Sequence, residues 1–263
     1  MKATSANNLG YRLVYQRDLL RELVSRDIKL RYRRSVLGVA WSLLNPLAQL
    51  LVFNFIFSVI LPLNIPNYGT FLFTGLIVWN WFQSTLFAGA GAIVDNRELI
   101  KRPGFPIWIL PVVTVTTTFI HFFLALPIVF IFIYLSRIQI TPAVVALPIL
   151  FAIQFLFILS LTYLVGTIHV TFRDTQYLLG IFLLLGFYLS PVFYDAAAIP
   201  GRFQFIYNLN PMAVLIEAYR SVLMRGDFPN LLRISILGAL SIIVLWIGYT
   251  IFKRSSLRFV EEL

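Results

Sequence analysis

The sequence predicts an all-α polytopic membrane protein with six transmembrane helices, an N-terminal amphipathic interface helix and a re-entrant external helical hairpin before the last span. Three observations predict it. Of the 263 residues, 59% are hydrophobic and only 12% charged, and the mean hydropathy of +0.85 exceeds what one soluble core requires. Asp, Glu, Lys and Arg are absent from residues 35–94, 103–136, 138–172 and 175–194. A hydrocarbon core about 30 Å thick takes about 20 apolar residues per helix, so each gap holds one or two spans. Finally, 16 of the 21 Lys and Arg residues fall before residue 40, within 97–102, at Arg173 or after 252. With six spans these segments share one side, and the positive-inside rule makes both termini cytoplasmic.

The elements follow in order. Residues 17–34, RDLLRELVSRDIKLRYRR, place Leu19, Leu20, Leu23, Val24 and Ile28 near helical spacing among charges. Such a helix is too charged to insert; its apolar stripe is expected in the acyl boundary and its basic face toward headgroups. The spans are expected at 39–61, 70–94, 107–135, 143–171, 176–194 and 231–252. The loop 94–106, VDNRELIKRPGFP, lies on the cytoplasmic side, where Asp95 can cap a helical turn over 96–101. It reads either as a solvated turn or as a handle that a cytoplasmic partner can push. Between the last two spans, residues 195–230 hold two apolar segments too short to cross, separated by Asn210-Pro211. A re-entrant hairpin fits this pattern where protein or a watery cavity satisfies the backbone; a folded cap on the headgroups is the alternative. No linker divides the chain, so residues 1–263 read as one domain. The charged N-terminus lacks a signal-peptide core and is expected to be retained.

The chemistry that is missing narrows the function. Neither GxxxxGK[ST] nor GxGxxG occurs, so nucleotide binding by either loop is not expected. There is no cysteine, and His121 and His169 have no ligand partner at helical spacing, so no metal site is predicted. His121 reads as a hydrogen-bonded interior histidine. No span carries an acidic residue at its centre, which disfavours ion-coupled transport. The net charge of +10 borders the spans and therefore points to anionic lipid and topology rather than nucleic acid. A lipid-linked glycan enzyme would have only Asp195, Glu217 and Asp227 near the outer face, and is kept as an alternative.

Two aromatic stripes suggest what could pass. In the first span Asn45, Gln49, Phe53 and Phe57 advance by four residues, with Trp41 starting the same ridge. In the fifth, Tyr177 and Tyr188 share a face with Leu184. Such stripes can stack on sugar C–H faces and bond sugar hydroxyls; equally, they can face lipid or each other.

The segments RDIKLRYRRSVLGVAWSLLNPLAQLLVF from Arg26, NRELIKRPGFP from Asn96, TFRD from Thr171, SPVFY from Ser190 and NLNPMAVLIEAYR from Asn208 resemble type-2 ABC exporter permeases. The resemblance extends over nearly the whole chain, and the nearest branch exports polysaccharides and polyol phosphates. It implies a homodimer that works with two separate nucleotide-binding subunits, which hold the ATP and Mg, and a polyprenyl-pyrophosphate-linked polysaccharide such as O-antigen, or a teichoic acid or capsule, as cargo; a type-2 permease for a drug or free lipid is the alternative within transport. This chain is then no enzyme, and needs no cofactor of its own. The interface helix and first cytoplasmic loop would seat the ATPase, through Arg21, Glu22, Asp27, Asn96, Arg97, Glu98, Lys101 and Arg102. The first and fifth spans would line the channel, the external hairpin would close it at Phe193, Tyr194, Asn210 and Pro211, and Arg31, Arg33 and Arg34 are candidates to receive the lipid pyrophosphate. The chain stops soon after the sixth span, so no appended glycan-binding domain is expected.

Overall fold

The computed structural model describes residues 3–33, 35 and 37–262, and every described element is helical or a connecting loop. The helices are α1 (Ala3–Arg31), α2 (Trp41–Phe55), α3 (Tyr68–Gly91), α4 (Arg97–Ile100), α5 (Ile109–Leu135), α6 (Leu147–Thr171), α7 (Thr175–Leu189), α8 (Gln204–Leu209), α9 (Pro211–Arg220), α10 (Leu231–Ser255) and α11 (Phe259–Glu262). Helix α2 continues through a π-helical turn at Ile56–Ile60.

Five stretches are long and apolar enough to cross a membrane: Trp41–Ile60, Tyr68–Gly91, Ile109–Leu135, Pro142–Thr171 and Leu231–Ser255. The sixth expected span is helical but shorter than predicted. Helix α7 has 15 residues, rising about 22 Å against a core of about 30 Å. It stops at Leu189 because Ser190 turns extended ahead of Pro191, which disfavours helix in the residue before it.

Helix α3 is the axis of the bundle: 72% of its apolar window is buried, against 11% for the first stretch and 22% for the last. The outer faces of α2 and α10 are thus left for lipid or another chain. Polar side chains brace the axis, since an unsatisfied polar group in hydrocarbon is costly. Gln154 Nε2 donates to the Val78 carbonyl at 3.0 Å, and the Thr85 and Thr118 hydroxyls meet at 2.7 Å. Small residues let the helices close up, as membrane packing favours. A Cβ on Gly248 would lie 2.9 Å from the Ser160 carbonyl oxygen, a backbone atom that cannot yield. Gly248→Leu is therefore expected to push α10 off α6 and to cost about 1–3 kcal/mol through overpacking. The readout is a lower thermal midpoint in detergent, and an unchanged midpoint would contradict this contact.

The interface helix is longer than predicted and ends three residues sooner, at Arg31. Its stripe does not wait for lipid. Leu23 and Val24 are buried against Ile109 and Val113 at the start of α5, with Leu19, Leu20 and Ile28 beside them. Protein, rather than the acyl boundary, covers that face. At the same end Thr171 Oγ1 donates to Glu262 at 3.0 Å, and α11 packs on α4 and α6. The α1 face that packs on α5, the 94–106 loop, the α6–α7 turn and α11 therefore share one end of the bundle, as the spacing of charges predicts.

At the opposite end α9 carries the apolar half of the 195–230 segment. Seven of its residues are buried, among them Leu215, Ile216 and Tyr219, and it packs on α3, α6 and α10. Asn210 caps α9 by accepting from Met212 N at 3.0 Å, and Pro211, with no N–H to lose, opens it. Gly226 closes the following turn in the left-handed region (φ 73°) and accepts from Thr141 Oγ1 at 2.8 Å, tying this segment to the loop before α6.

Candidate docking face and transport path

The candidate docking face is built by α1 and the 94–106 loop. Arg26 Nη2 donates to Asn96 Oδ1 at 2.6 Å, while Asn96 Nδ2 donates back to the Ala92 carbonyl at 2.9 Å. Asp95 does not cap the turn as expected: α4 starts after Asn96, with no side-chain cap, and Asp95 stays exposed. Asn96 instead bridges the loop to the interface helix. Arg21, Glu22, Arg97, Glu98, Lys101 and Arg102 are exposed around this bridge, and Asp27 is half-buried. The exposed Arg97–Glu98 pair at 3.7 Å adds little stability. The sequence reading missed Arg26 as the helix's anchor, since nothing in the spacing singles it out from its basic neighbours.

The stripe on α2 divides into two sites. Trp41, Asn45 and Gln49 line a cavity of about 520 Å³, open on one side, between the end of α1 and α2, α3 and α5. Asn80 Nδ2 crosses from α3 to donate to Gln49 Oε1 at 3.1 Å. His121 also faces the cavity, and its ring lies 3.3 Å from the Tyr32 hydroxyl, so it is the partnered interior histidine expected. Arg31 lines this cavity, whereas Arg33 lines a separate groove on α1 with Glu22 and Lys29. Arg34 lies outside the described residues.

Phe53 and Phe57 join a different cluster. Their rings stack on Phe193 with centroids 6.2 and 5.3 Å away, and Phe187 closes on Phe53 at 5.8 Å. Tyr188 meets Phe193 edge-on at 5.9 Å, and the Tyr194 hydroxyl donates to the Tyr188 carbonyl at 3.3 Å. Asn210 Nδ2 reaches Ser190 Oγ at 2.9 Å. The predicted gate residues Phe193, Tyr194, Asn210 and Pro211 thus gather where α2, α7 and α9 converge. Tyr177, 80% exposed, and Leu184, 57% exposed, stay on the outer surface of α7 and meet nothing in this cluster.

Arg220 holds the loop beneath that cluster. It is 2% exposed, and its guanidinium donates to the carbonyls of Pro191 (2.6 Å), Val192 (2.7 Å) and Phe71 (3.2 Å), with the Phe71 ring 3.3 Å from Cζ. Pro191 and Val192 lie outside any helix, so their carbonyls need donors from elsewhere. Sequence alone assigned Arg220 no role. Its signal was an arginine amid apolar residues at the end of a short amphipathic segment.

The family profile described as ABC-2 type transporter matches residues 18–224. The chain belongs to the ABC-2 type transporter family. The matched part of this ABC-2 chain takes in the docking face, the cavity and the aromatic cluster, and ends ahead of α10. Among its relatives, the O-antigen export system permease protein RfbA of Myxococcus xanthus is 36% identical over 255 residues, covering 96% of this chain and 98% of that one. A protein of the same name from Klebsiella pneumoniae is 33% identical over 258 residues, covering 97% and 98%. The polysialic acid transport protein KpsM of Escherichia coli is 26% identical over 245 residues, covering 90% and 93%. The ABC-2 chain is thus a multi-pass transport protein.

Proposed function

We propose that the chain is the permease subunit of an ATP-driven exporter, moving a polyprenyl-linked polysaccharide such as O-antigen from the cytoplasm across the bacterial inner membrane. The observation that carries this reading is similarity at 33–36% identity, along nearly the whole length, to permeases named for O-antigen export. The working unit is a homodimer with two nucleotide-binding subunits, which bind the ATP and Mg and dock on α1 and the 94–106 loop. Both termini are cytoplasmic. Helix α7 acts as the sixth span, and α8 with α9 forms the re-entrant hairpin. In the dimer the outward side chains of α2 and α7, including Tyr177, Leu184 and Tyr188, turn toward the path, and Phe193, Tyr194, Asn210 and Pro211 close it. The exposure of those α7 side chains in one chain supports this arrangement, because a second copy or the cargo can meet them.

The test is co-purification with a candidate nucleotide-binding protein, followed by ATP hydrolysis in proteoliposomes. A polyprenyl-linked polysaccharide should raise hydrolysis severalfold, with no rise when the partner's phosphate-binding lysine is replaced. Glycan export that persists without any ATPase partner would refute the proposal.

A further inference from the structure

The cavity between α1, α2, α3 and α5 lies inside one chain, apart from the aromatic cluster. We propose that it is a headgroup site, which takes a hydroxyl-rich group joined to a phosphate and holds the polyol inside with the phosphate at the Arg31 end. The choice of a lipid-linked sugar as one source rests on the export reading above.

The lining selects this chemistry. Its volume of about 520 Å³ falls in the range of small-molecule pockets. Asn45, Gln49, Asn80 and Gln83 offer amides from two helices, each both donor and acceptor, and Ser84 adds a hydroxyl. Among the described residues neither aspartate nor glutamate lines it, so none of them offers a cation a counter-charge there. Among the described residues Arg31 supplies the one permanent charge, which suits a phosphate. Trp41, 54% exposed, contributes ring surface on which the C–H face of a polyol can lie.

The cavity is open where Arg31, Trp41, Asn45 and Ser84 are exposed, and it reaches inward to the half-buried Asn80 and Gln83. Asn80 lies eleven residues from the end of α3 at Gly91, about 16 Å along the axis and so near the middle of a core about 30 Å thick. Polar side chains at that depth are costly unless partnered. Gln49 and Asn80 pair with each other, and Gln83 Oε1 accepts from Trp79 Nε1 at 2.8 Å. Asn45 and the Gln83 amide nitrogen have no protein partner among the described residues. Those groups match the alternating donors and acceptors of a polyol.

The test uses the full chain in phosphatidylcholine nanodiscs, with equilibrium binding of three probes: a polyprenyl diphosphate bearing one sugar, the same diphosphate without sugar, and phosphatidylglycerol. The sugar-bearing probe should bind at least tenfold more tightly than the bare one. Asn80→Leu with Gln83→Leu should erase that difference. Ser84→Phe, which fills the cavity and leaves the amides in place, should erase it too. If phosphatidylglycerol is instead the probe that binds, and both variants release it, the site stands with a membrane phospholipid as its source. A diazirine on the sugar or glycerol should label α2 or α3 in the wild-type chain, which needs no variant to fold. Equal affinities for all probes in wild type and variants, or labelling confined to other helices, would overturn the proposal. Binding here needs no nucleotide-binding subunit, so its failure leaves the export assay standing. Failure of the export assay, in turn, leaves the phosphatidylglycerol arm readable.

Discussion

Arg220→Met is expected to abolish the stable folded chain, and any transport with it. The guanidinium is buried and faces three carbonyls, two of them in the non-helical 190–193 segment. Among the described residues no carboxylate bonds it: Glu217, three residues away, bonds instead to Arg225. Carbonyl dipoles and the Phe71 ring make its close contacts, with Glu217 and Asp195 acting only through space. A hydrogen bond from a charged donor contributes about 1.5–3 kcal/mol, and each buried acceptor left bare costs about 1–3 kcal/mol. Removing three together exceeds the loss of about 4 kcal/mol that marks an exceptional substitution. Arg220→Lys should retain part of the stability, because an ammonium is a compact point charge that cannot reach all three oxygens in the fork geometry. The order of thermal midpoints is predicted as wild type, then lysine, then methionine, with methionine unfolded or degraded in membranes. A methionine variant melting with wild type would show that the loop holds itself.

That arginine also marks where sequence reasoning ran out. Long charge-free runs fix which segments are apolar, so the five long stretches were legible within a few residues at each end. The end of α7 was not, because Ser190-Pro191 sits inside an uncharged run and hydropathy does not register a backbone turn. Helical spacing puts Trp41, Asn45, Gln49, Phe53 and Phe57 on one ridge of the first span. It could not say that the lower three face a cavity and the upper two a ring cluster, since that depends on what α3, α7 and the 190–194 loop bring opposite. The partners Asn80 and Gln83 were equally hidden, being isolated amides in a helix whose sequence shows little apolar asymmetry. The amphipathic pattern of α1 was plain, but periodicity identifies an apolar face without naming its cover, which proves to be Ile109 and Val113 rather than lipid.

Arg26→Glu should separate docking from stability. In the wild type, the arginine donates to Asn96 Oδ1, which fixes the amide so that its nitrogen donates to the Ala92 carbonyl. A glutamate in the same place presents oxygen to oxygen. Asn96 could flip to donate to it, but would then turn its own oxygen toward Ala92 and lose that bond. Either way one of the two bonds at this joint is lost, and the loop no longer has both its tie to the interface helix and its anchor on Ala92, while the apolar seat of Leu23 and Val24 on α5 remains. The local loss is about 1.5–3 kcal/mol for one charge-assisted bond, confined to one end of the bundle, so the thermal midpoint should fall by only a few degrees. If the nucleotide-binding subunit docks here, the functional loss is larger: glycan-stimulated hydrolysis should drop at least tenfold, because motion in the partner no longer reaches α1 and the loop as one body. Asn96→Asp provides the complementary check. It keeps the acceptor for Arg26 and removes the donor to Ala92, and so should preserve most of the stimulated rate. A parallel collapse of midpoint and rate in Arg26→Glu would mean that the bridge serves folding alone.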